Sequence, residues 1–326
     1  MLTLADYQSA FKTYLEAHTF DRAPSSLYEP VNHIMSIGGK RMRPILVLMA
    51  SNLYDDKIEK ALPASLAIEI FHNFTLVHDD IMDVAPMRRG FPTVHEKYGL
   101  SAGILSGDVM VIYAYQYLQQ TEISLSRMQR LMHIFNKAAI EVCEGQQMDM
   151  DFEARLTVTE QEYLRMIEFK TSVLIGAALE IGALIGGAKN AEARSLYHFG
   201  CNVGIAFQMH DDILDSFGDP KKVGKKIGGD IVQNKKTILV IKAFALANEK
   251  DKTTLTHLLT TETQDEVAKI NTVKNIFLLS GAKKAVEILQ KQHLEEAFSI
   301  LDKTFLSKPK RQYLKNWALE LMQREH

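Results

Sequence analysis

Two short acidic motifs carry the residue types best suited to chemistry. HDDIMD occupies His78 to Asp83, and HDDILD occupies His210 to Asp215. In each motif the aspartates stand at positions i, i+1 and i+4, which places them within about 100° of arc on an α-helix. Three carboxylates on one face repel one another unless a cation neutralises them. The spacing therefore predicts two helix faces that bind positive charge.

The cation that suits these motifs is Mg²⁺. Carboxylate oxygens without cysteine ligands favour a hard ion, and Mg²⁺ is usually held by one or two carboxylates, waters and substrate phosphates. Two such helices facing each other across a cleft would hold a diphosphate through Mg²⁺. A single DDxxD is more often a solvated helix face, but two near-identical copies in apolar sequence favour metal binding. The predicted metal ligands are Asp79, Asp80, Asp83, Asp211, Asp212 and Asp215.

Basic residues beside glycine turns supply the further cations that a diphosphate site needs. GGKRMRP contributes Lys40, Arg41 and Arg43, and Arg88 and Arg89 follow the first acidic motif. The glycines let the backbone turn sharply and approach a phosphate. Arginine binds phosphate oxygens through two parallel hydrogen bonds. We therefore expect a phosphate site here rather than a solvated run of charge.

The second acidic motif has basic neighbours of its own. The segment GDPKKVGKKIGGDIVQNKK follows it and provides Lys225, Asp230 and Lys235. Lys170 and Thr171 interrupt an apolar helix, where a buried ammonium is costly without an anionic partner. A lysine that reaches solvent along its own stem is the alternative interpretation.

The elements that must position these residues are helices. Proline is absent between Pro92 and Pro220, apolar residues recur at three and four positions, and alternating β-branched runs are missing. The sequence predicts an all-α chain of ten or more helices, and without a linker we assign residues 1–326 to a single domain. The predicted helices are Leu4–His18, Ser25–Ile37, Pro44–Leu53, one from Pro63 to before Pro86, Ser101–Gln119, Ser126–Asp151, Thr159–Gly186, Asn190–Phe217, and helical stretches at Asp265–Lys308 and Lys310–Arg324.

Composition narrows the function classes. A net charge of −2 and a pI near 6.6 argue against a nucleic-acid binder. Cys143 and Cys201 form no CxxC pair, which disfavours a zinc site or disulfide scaffold and fits a reducing cytoplasm. The N-terminus lacks the features of a signal peptide. Ser172–Ala188 is short for a membrane span and contains Glu180, so we expect a buried helix and a cytoplasmic protein without a membrane span.

The combined pattern resembles the trans-isoprenyl diphosphate synthases, the family of farnesyl and geranylgeranyl diphosphate synthases. The resemblance runs from Gly38 to Lys236 and is carried by GGKRMRP, both acidic motifs and the Arg-Arg pair. It implies a single all-α domain of the isoprenoid-synthase type, a helical bundle around a central cavity. It also implies a homodimer and three Mg²⁺ per active site.

The resemblance further implies roles for individual residues. Asp79, Asp83 and Asp211 would be the principal metal ligands, with the other three aspartates binding directly or lying behind them. The implied allylic diphosphate residues are Arg88, Lys170, Lys225 and Lys235, helped by Thr171 and Gln208. The implied isopentenyl diphosphate residues are Lys40, Arg43, His72 and Arg89, although many short-chain members have Gln in place of His72. Gln146 and Asp149 match a further family motif that lines the cavity. The predicted catalytic set is Asp79, Asp83, Arg88, Lys170, Asp211 and Lys225.

The implied reaction is ionisation, condensation and elimination. The metal and the lysines would stabilise the diphosphate leaving a dimethylallyl, geranyl or farnesyl group. The double bond of isopentenyl diphosphate would attack the allylic carbocation. Diphosphate itself would remove the proton, because no side-chain base stands out in the motifs.

Product length is predicted from the helix that ends in the first acidic motif. Phe74 and Phe71 precede Asp79 by five and eight residues, roughly 7 and 12 Å along the helix axis and on one face. The resemblance favours Phe74 as the floor of a short prenyl cavity, and the small Thr75 supports 20 carbons at least as well as 15. We therefore expect farnesyl or geranylgeranyl diphosphate, unless both phenylalanines are ordinary core residues. The alternative floor positions are Tyr113 and Tyr115 on a neighbouring helix.

Two other functions share part of this pattern. A class I terpene cyclase also ionises an allylic diphosphate, but its second metal motif is typically of an Asn-Ser-Glu kind and it needs no second cationic pocket. A non-catalytic subunit of a heteromeric prenyl synthase would be expected to lose Asp or Arg residues that this sequence keeps. A ferritin-type dimetal bundle would need a Glu-x-x-His motif, which does not occur at the site.

Overall fold

A computed structural model of the protein describes residues 1–219, 227–261 and 265–323. The all-α prediction is confirmed, since within those ranges the only strands are the two-residue β1 (Met87–Arg88) and β2 (Phe91–Pro92). The chain forms two compact units. The first unit is Met1–Lys137 with Ala177–Tyr197, and the second unit is Ala138–Gly176 with His198–His326.

The first half of the chain contributes most of the first unit. A 3₁₀ turn at Glu59–Ala61 precedes the helix that begins at Leu62. The helices are α1 (Leu4–Glu16), α2 (Ser25–Ser36), α3 (Met42–Asn52), α4 (Leu62–Met82), α5 (Val94–Tyr98), α6 (Leu100–Gln119) and α7 (Leu125–Glu153), of which α7 continues into the second unit.

The end of α4 is fixed by close packing against α6 within the first unit. A Cβ atom on Gly107 of α6 would overlap the His78 ring, and one on Gly103 would lie 2.9 Å from Ile81. His78 also contacts the Ile104 carbonyl oxygen at 3.2 Å. Because both glycines lack a side chain, α6 approaches the last turns of α4 closely enough to hold the first acidic motif in place.

The helix stop predicted at Gly38 and Gly39 is confirmed. Helix α2 ends at Ser36, and the two glycines follow with φ values of 81° and 127°. Arg41 also has a left-handed backbone, with φ 47°, immediately before α3. This turn presents the basic residues of GGKRMRP beside the buried helix α3.

The second unit is built from the rest of the chain around its own apolar core. Its helices are α8 (Glu160–Ile167), α9 (Val173–Gly186), α10 (Asn190–Phe217), α11 (Gly229–Val232), α12 (Ile238–Leu246), α13 (Glu249–Thr260), α14 (Glu266–Leu279), α15 (Ala282–Asp302) and α16 (Lys308–Gln323). Helices α9 and α10 also contribute residues to the first unit. Core side chains include Tyr163, Met209, Leu239, Val273 and Phe277.

The predicted long helix from Thr159 differs from a regular α-helix at one point. The capping box is confirmed, because Thr159 accepts from the Glu162 amide and Glu162 from the Thr159 amide. The helix runs on to Gly186, but Glu168–Ser172 is a π-helical segment between α8 and α9. Such segments are rare and are often found at functional sites. It contains the two polar residues, Lys170 and Thr171, that interrupt the apolar pattern.

One predicted helix boundary is confirmed to the residue and another is wrong. Helix α10 spans Asn190–Phe217 as predicted. The stretch predicted from Asp265 to Lys308 is two helices, because Gly281 adopts a left-handed backbone with φ 79° between α14 and α15. A continuous helix cannot accommodate that conformation.

One helical stretch among the described residues is long and apolar enough to cross a membrane by length and composition. It covers Glu160–Gly186, and 83% of its most apolar window is buried. Glu180, in the part that belongs to the first unit, is fully buried and paired with Arg130 at 3.0 Å and Arg194 at 3.2 Å. Burial of this extent is usual in the core helix of a globular protein.

Candidate active site

The first acidic motif stands at the C-terminal end of α4 and is paired with Arg88. Asp79 and Asp80 lie in the last turn of α4, and Asp83 caps it with helical backbone angles. Asp80 is 1% exposed and accepts from Arg88 Nε at 2.8 and 2.9 Å. Arg88 Nη2 also lies 3.4 Å from Asp79 Oδ2. Arg88 therefore binds two carboxylates of the motif at once.

Burial and this pairing shift the pKa values of Asp80 and Arg88. Burial raises the pKa of Asp80, although the hydrogen bond from Arg88 opposes the rise. Burial alone would lower the pKa of Arg88, but the hydrogen bond and charge of Asp80 raise it overall. The guanidinium stays cationic and keeps Asp80 aligned beside Asp79.

A tight hairpin separates the two adjacent arginines. Arg88 pairs with Phe91 in the β1–β2 ladder, and Arg89 and Gly90 form its turn with φ values of 53° and 82°. Two consecutive positive φ values are typical of a type I′ turn. Arg88 contacts the acidic motif, whereas Arg89 donates to the Gly38 carbonyl oxygen. The neighbours thus serve different parts of the first unit.

A second group of basic residues gathers around His72 of α4. Arg43 Nη1 and His72 Nε2 are 3.1 Å apart. Burial, followed by the charges of Arg43 and Arg89, lowers the pKa of His72 well below its usual value. Burial also lowers the pKa of Arg43, to about 10, against the opposing charge of Glu69. At neutral pH His72 is therefore uncharged and accepts the hydrogen bond from Arg43.

The glycine loop is fastened to this group by two further contacts. A Cβ atom on Gly39 would overlap the Arg89 guanidinium, so the close approach requires glycine. Arg41 forms an ion pair with Glu69 of α4 and donates to the Met35 carbonyl oxygen. Arg41 thus anchors the loop, while Lys40 is exposed on it. The structure brings the predicted residues Arg43, His72 and Arg89 together beside the loop that carries Lys40.

The second acidic motif borders a cavity inside the second unit. The cavity measures about 130 Å³. Charged and polar residues of five segments line it, among them Asp149, Lys170, Thr171, Gln208, Asp212, Asp230, Lys235 and Lys236. Apolar lining residues include Phe152, Met166 and Ile167. A polar pocket with lysines and carboxylates can hold a phosphorylated ligand together with cations.

The π-helical segment positions two of these residues. Lys170 Nζ lies 2.6 Å from Asp149 Oδ2 on α7, which supplies the anionic partner that the sequence predicts. Thr171 Oγ1 contacts Gln208 Oε1 at 3.3 Å. A Cβ atom on Gly145 of α7 would overlap the backbone of Lys170, so α7 packs directly against the segment.

Asp212 is held almost entirely by protein donors. It is 5% exposed, and it accepts from Tyr163 Oη at 2.5 Å, Gln208 Nε2 at 3.3 Å and the Ile238 amide at 3.3 Å. Burial and the neighbouring charge of Asp230 raise the pKa of Asp212 to about 7. By contrast, Asp211 is exposed and Asp215 is half-buried. The motif therefore presents Asp211 outward and uses Asp212 to fasten α10.

Some residues of the site were not predicted. Tyr163, which fastens Asp212, stands seven residues before Lys170, a spacing of about two helical turns that places both on one side of a helix. Lys236 lies beside the predicted Lys235, and Glu69 has no motif around it. The predicted Lys225 lies outside the described residues.

The donor set suits Mg²⁺. In the described part of the chain no three His, Cys, Asp or Glu side chains already form a metal-binding group. Mg²⁺ does not require one, because it retains waters and takes ligands from substrate phosphates. The carboxylates of Asp79, Asp83 and Asp211 offer the oxygen ligands it prefers.

Comparisons with known proteins show which proteins this chain is similar to. The polyprenyl synthetase family model matches residues 24–277. The chain is 42% identical to a geranylgeranyl diphosphate synthase of Sulfolobus acidocaldarius, covering 86% of this chain and 81% of that protein. It is 37% identical to a geranylgeranyl pyrophosphate synthase of Geoglobus acetivorans, covering 94% and 93%. A crystal structure of a geranylgeranyl pyrophosphate synthase superimposes with a TM-score of 0.94 at 40% identity and full coverage of both chains.

Proposed function

Because the chain belongs to the polyprenyl synthetase family and is a prenyltransferase with the all-α isoprenoid synthase fold, we propose that it condenses isopentenyl diphosphate with an allylic diphosphate in a Mg²⁺-dependent reaction. The starter would be dimethylallyl, geranyl or farnesyl diphosphate. The product would be farnesyl or geranylgeranyl diphosphate.

The cationic group around His72 carries this proposal. Isopentenyl diphosphate is expected to bind through Lys40, Arg43 and Arg89, with neutral His72 keeping Arg43 in place at 3.1 Å. Burial and then the charge of Arg89 lower the pKa of Arg43, and burial and then the charge of Arg41 lower the pKa of Arg89. An anion bound beside these arginines would therefore be stabilising. A terpene cyclase has no second diphosphate to bind and no need of this group.

The allylic diphosphate is proposed to bind in the polar cavity of the second unit. Lys170 and Lys235 would contact its oxygens, and Thr171 and Gln208 would orient it from the π-helical segment and α10. Lys225 and Arg88 complete the proposed set. Asp149 holds the Lys170 ammonium at the cavity wall at 2.6 Å, which fixes its direction before the substrate arrives.

Asp79, Asp83 and Asp211 are the proposed metal ligands. Mg²⁺ bound there would neutralise the departing diphosphate. Asp80, fastened by Arg88, would hold the C-terminal end of α4, and Asp212, fastened by Tyr163, would hold the part of α10 that carries the second acidic motif. In this proposal Asp80 and Asp212 lie behind the ligands rather than among them.

Diphosphate is the proposed base in the final elimination step, because no described side chain of the site is suited to remove the proton. His72 is half-buried. Desolvation and the charges of the nearby arginines keep its pKa well below the usual value, so it accepts a proton poorly at neutral pH. It also belongs to the isopentenyl diphosphate group, which must stay cationic overall. The released diphosphate would serve as the base without a further residue.

An aromatic row supports a short product. Ring centroids are 5.4 Å apart for Phe74 and Phe71, 5.2 Å for Phe71 and Phe135, and 5.1 Å for Phe135 and Tyr115. Tyr113 belongs to a separate group, since it contacts the Phe20 ring and Tyr28. We propose that Phe74 is the first layer of the floor. The names of the two relatives and of the superimposed structure favour the 20-carbon product.

We also propose that the protein is a cytoplasmic homodimer. Helix α6 exposes a side with Leu100, Ile104, Leu105 and Ile112, and apolar faces of this kind are typical of subunit interfaces. Sedimentation velocity should show a dimer. Replacing Leu105 and Ile112 by Arg should shift it to a monomer, and a wild-type monomer at micromolar concentration would contradict the proposal.

One assay tests the catalytic proposal directly. Purified protein is incubated with MgCl₂, isopentenyl diphosphate and each allylic starter in turn, and the dephosphorylated products are separated by chromatography. We expect linear 15- or 20-carbon alcohols, loss of turnover in EDTA and recovery on adding Mg²⁺. Cyclic hydrocarbons formed without isopentenyl diphosphate would instead indicate a terpene cyclase.

A further inference from the structure

A buried lysine lies behind the loop that carries Lys235. Lys269 of α14 is 4% exposed, and its ammonium donates to the Asn234 side-chain oxygen and, at 3.4 Å, to the Val232 carbonyl oxygen. Both of these acceptors are uncharged. Burial lowers the pKa of Lys269, against the opposing charge of Glu266. Burying an ammonium against neutral acceptors is costly, so the position calls for a compensating role.

The residue that Lys269 contacts occupies a special backbone position. Asn234 has φ 58°, in the left-handed region that few side chains other than Asn and Gly adopt readily. Its carbonyl oxygen accepts from Lys236 Nζ at 2.9 Å. The next amide, that of Lys235, donates to the Asp230 carbonyl oxygen at 2.9 Å. The turn at Asn234 thus sets the directions of two lysines that line the cavity.

Helix α14 supports the same segment at its other end. Gly228 has φ 82°, and a Cβ atom there would lie 2.8 Å from the side chain of Ile270, the neighbour of Lys269. The Gly228 amide donates to the Asp215 carbonyl oxygen at 2.7 Å. The segment 228–236 is therefore held between the second acidic motif and two consecutive residues of α14.

We propose that Lys269 is a positioning residue for the allylic diphosphate site. It fixes the left-handed turn at Asn234, so that Lys235 and Lys236 stay at the cavity wall when the substrate is absent. It does not touch the substrate. The inference rests on the proposed function, because it assigns this cavity to the allylic diphosphate.

The test is a double-mutant cycle between Lys269 and Asn234. Lys269→Met keeps the length of the side chain and removes its ammonium, while Asn234→Gly keeps the left-handed backbone and removes the acceptor. Each variant should raise KM for the allylic diphosphate about tenfold, the effect of losing one charge-assisted hydrogen bond. Because both remove the same contact, the double variant should also show about tenfold rather than a hundredfold.

The pattern across substrates separates positioning from general damage. KM for isopentenyl diphosphate should stay within about twofold of wild type, because its proposed site does not depend on this contact. Lys269→Arg, which keeps the charge and the donors, should recover most of the loss. The matched control is Lys274→Met, on the same helix, whose ammonium lies over the Phe217 ring; both KM values should be unchanged.

Three outcomes would overturn the inference: an unchanged allylic KM in Lys269→Met, equal increases in both KM values, or multiplicative effects in the double variant. If Lys269→Met does not fold, Asn234→Gly alone carries the same prediction for the allylic KM. Absence of prenyl transfer by the wild-type protein would instead refute the proposed function. The two failures are therefore distinguishable.

Discussion

Removing the Phe74 ring should lengthen the product by one isoprene unit. An extended chain advances roughly 1.2 Å per bond, so the four main-chain bonds of an isoprene unit span about 5 Å. The Phe74 and Phe71 ring centroids are 5.4 Å apart, which is close to that length. Phe74→Ala should therefore open one layer and stop the chain at Phe71.

The same geometry predicts what a second substitution does. In Phe71→Ala/Phe74→Ala the next ring is Phe135, whose centroid is 5.2 Å from that of Phe71, so the product should grow by one more five-carbon unit. Phe71 is 2% exposed, and truncating a fully buried phenylalanine costs about 3–5 kcal/mol. Phe74 is only half-buried, so its single variant should lose less stability and remain the cleaner test.

The assay is product analysis with geranyl diphosphate as starter and excess isopentenyl diphosphate. Wild type should stop at 15 or 20 carbons and Phe74→Ala one unit later, with Mg²⁺ dependence unchanged. Tyr113→Ala is the matched control, because that ring lies outside the row and should leave the length alone. A longer product from Tyr113→Ala together with an unchanged one from folded Phe74→Ala would refute the reasoning and place the floor on α6.

Three further predictions concern metal, substrate and pH. Asp79→Ala should lower kcat by at least ~10²-fold, because a lost metal ligand removes transition-state charge stabilisation; near-normal turnover would argue against its role. Arg89→Ala should raise KM chiefly for isopentenyl diphosphate and Lys235→Ala chiefly for the allylic substrate, and identical kinetic profiles would contradict the two-site assignment. The hydrogen bond from Arg155, together with those from Thr159, lowers the pKa of Glu162 from the usual 4.5 to about 2. The ionised Glu162 therefore contributes its full stabilisation above pH 4.5, and this contribution is lost as the pH falls to about 2. The melting-temperature difference between wild type and Glu162→Gln should shrink over that range; a constant difference would exclude an ionic origin.

Much of the fold and site was predictable because the relevant signals are local. The capping box at Thr159, the glycine stop after α2 and the bounds of α10 each depend on residues within a few positions of one another. The acidic motifs and the basic residues of the glycine loop are likewise recognisable from their spacing in the sequence.

Other features depend on contacts that no short pattern encodes. The pairing of Lys269 with Asn234 joins residues 35 positions apart, and Arg41 reaches Glu69 across 28 positions. The break at Gly281 was missed because an isolated glycine is tolerated within a helix and need not end it. The resemblance assigned Arg88 and Arg89 to different substrates, but the hairpin turn that lets adjacent arginines contact different groups is visible only in the structure.

The π-helical segment has a consequence for insertions and deletions. A π turn holds one more residue than the α-helical turn it replaces, so the side chains after it are rotated by about 100° from where a regular helix would place them. Deleting one residue within Glu168–Ser172 would restore a regular α-helix. The residues before and after the deletion would then be rotated relative to each other, so the contacts of Tyr163 with Asp212 and of Lys170 with Asp149 could not both be kept while the apolar side of α9 stays buried. The length of this segment should therefore matter as much as the identities of Lys170 and Thr171, and a one-residue deletion should disturb the site even if both are kept.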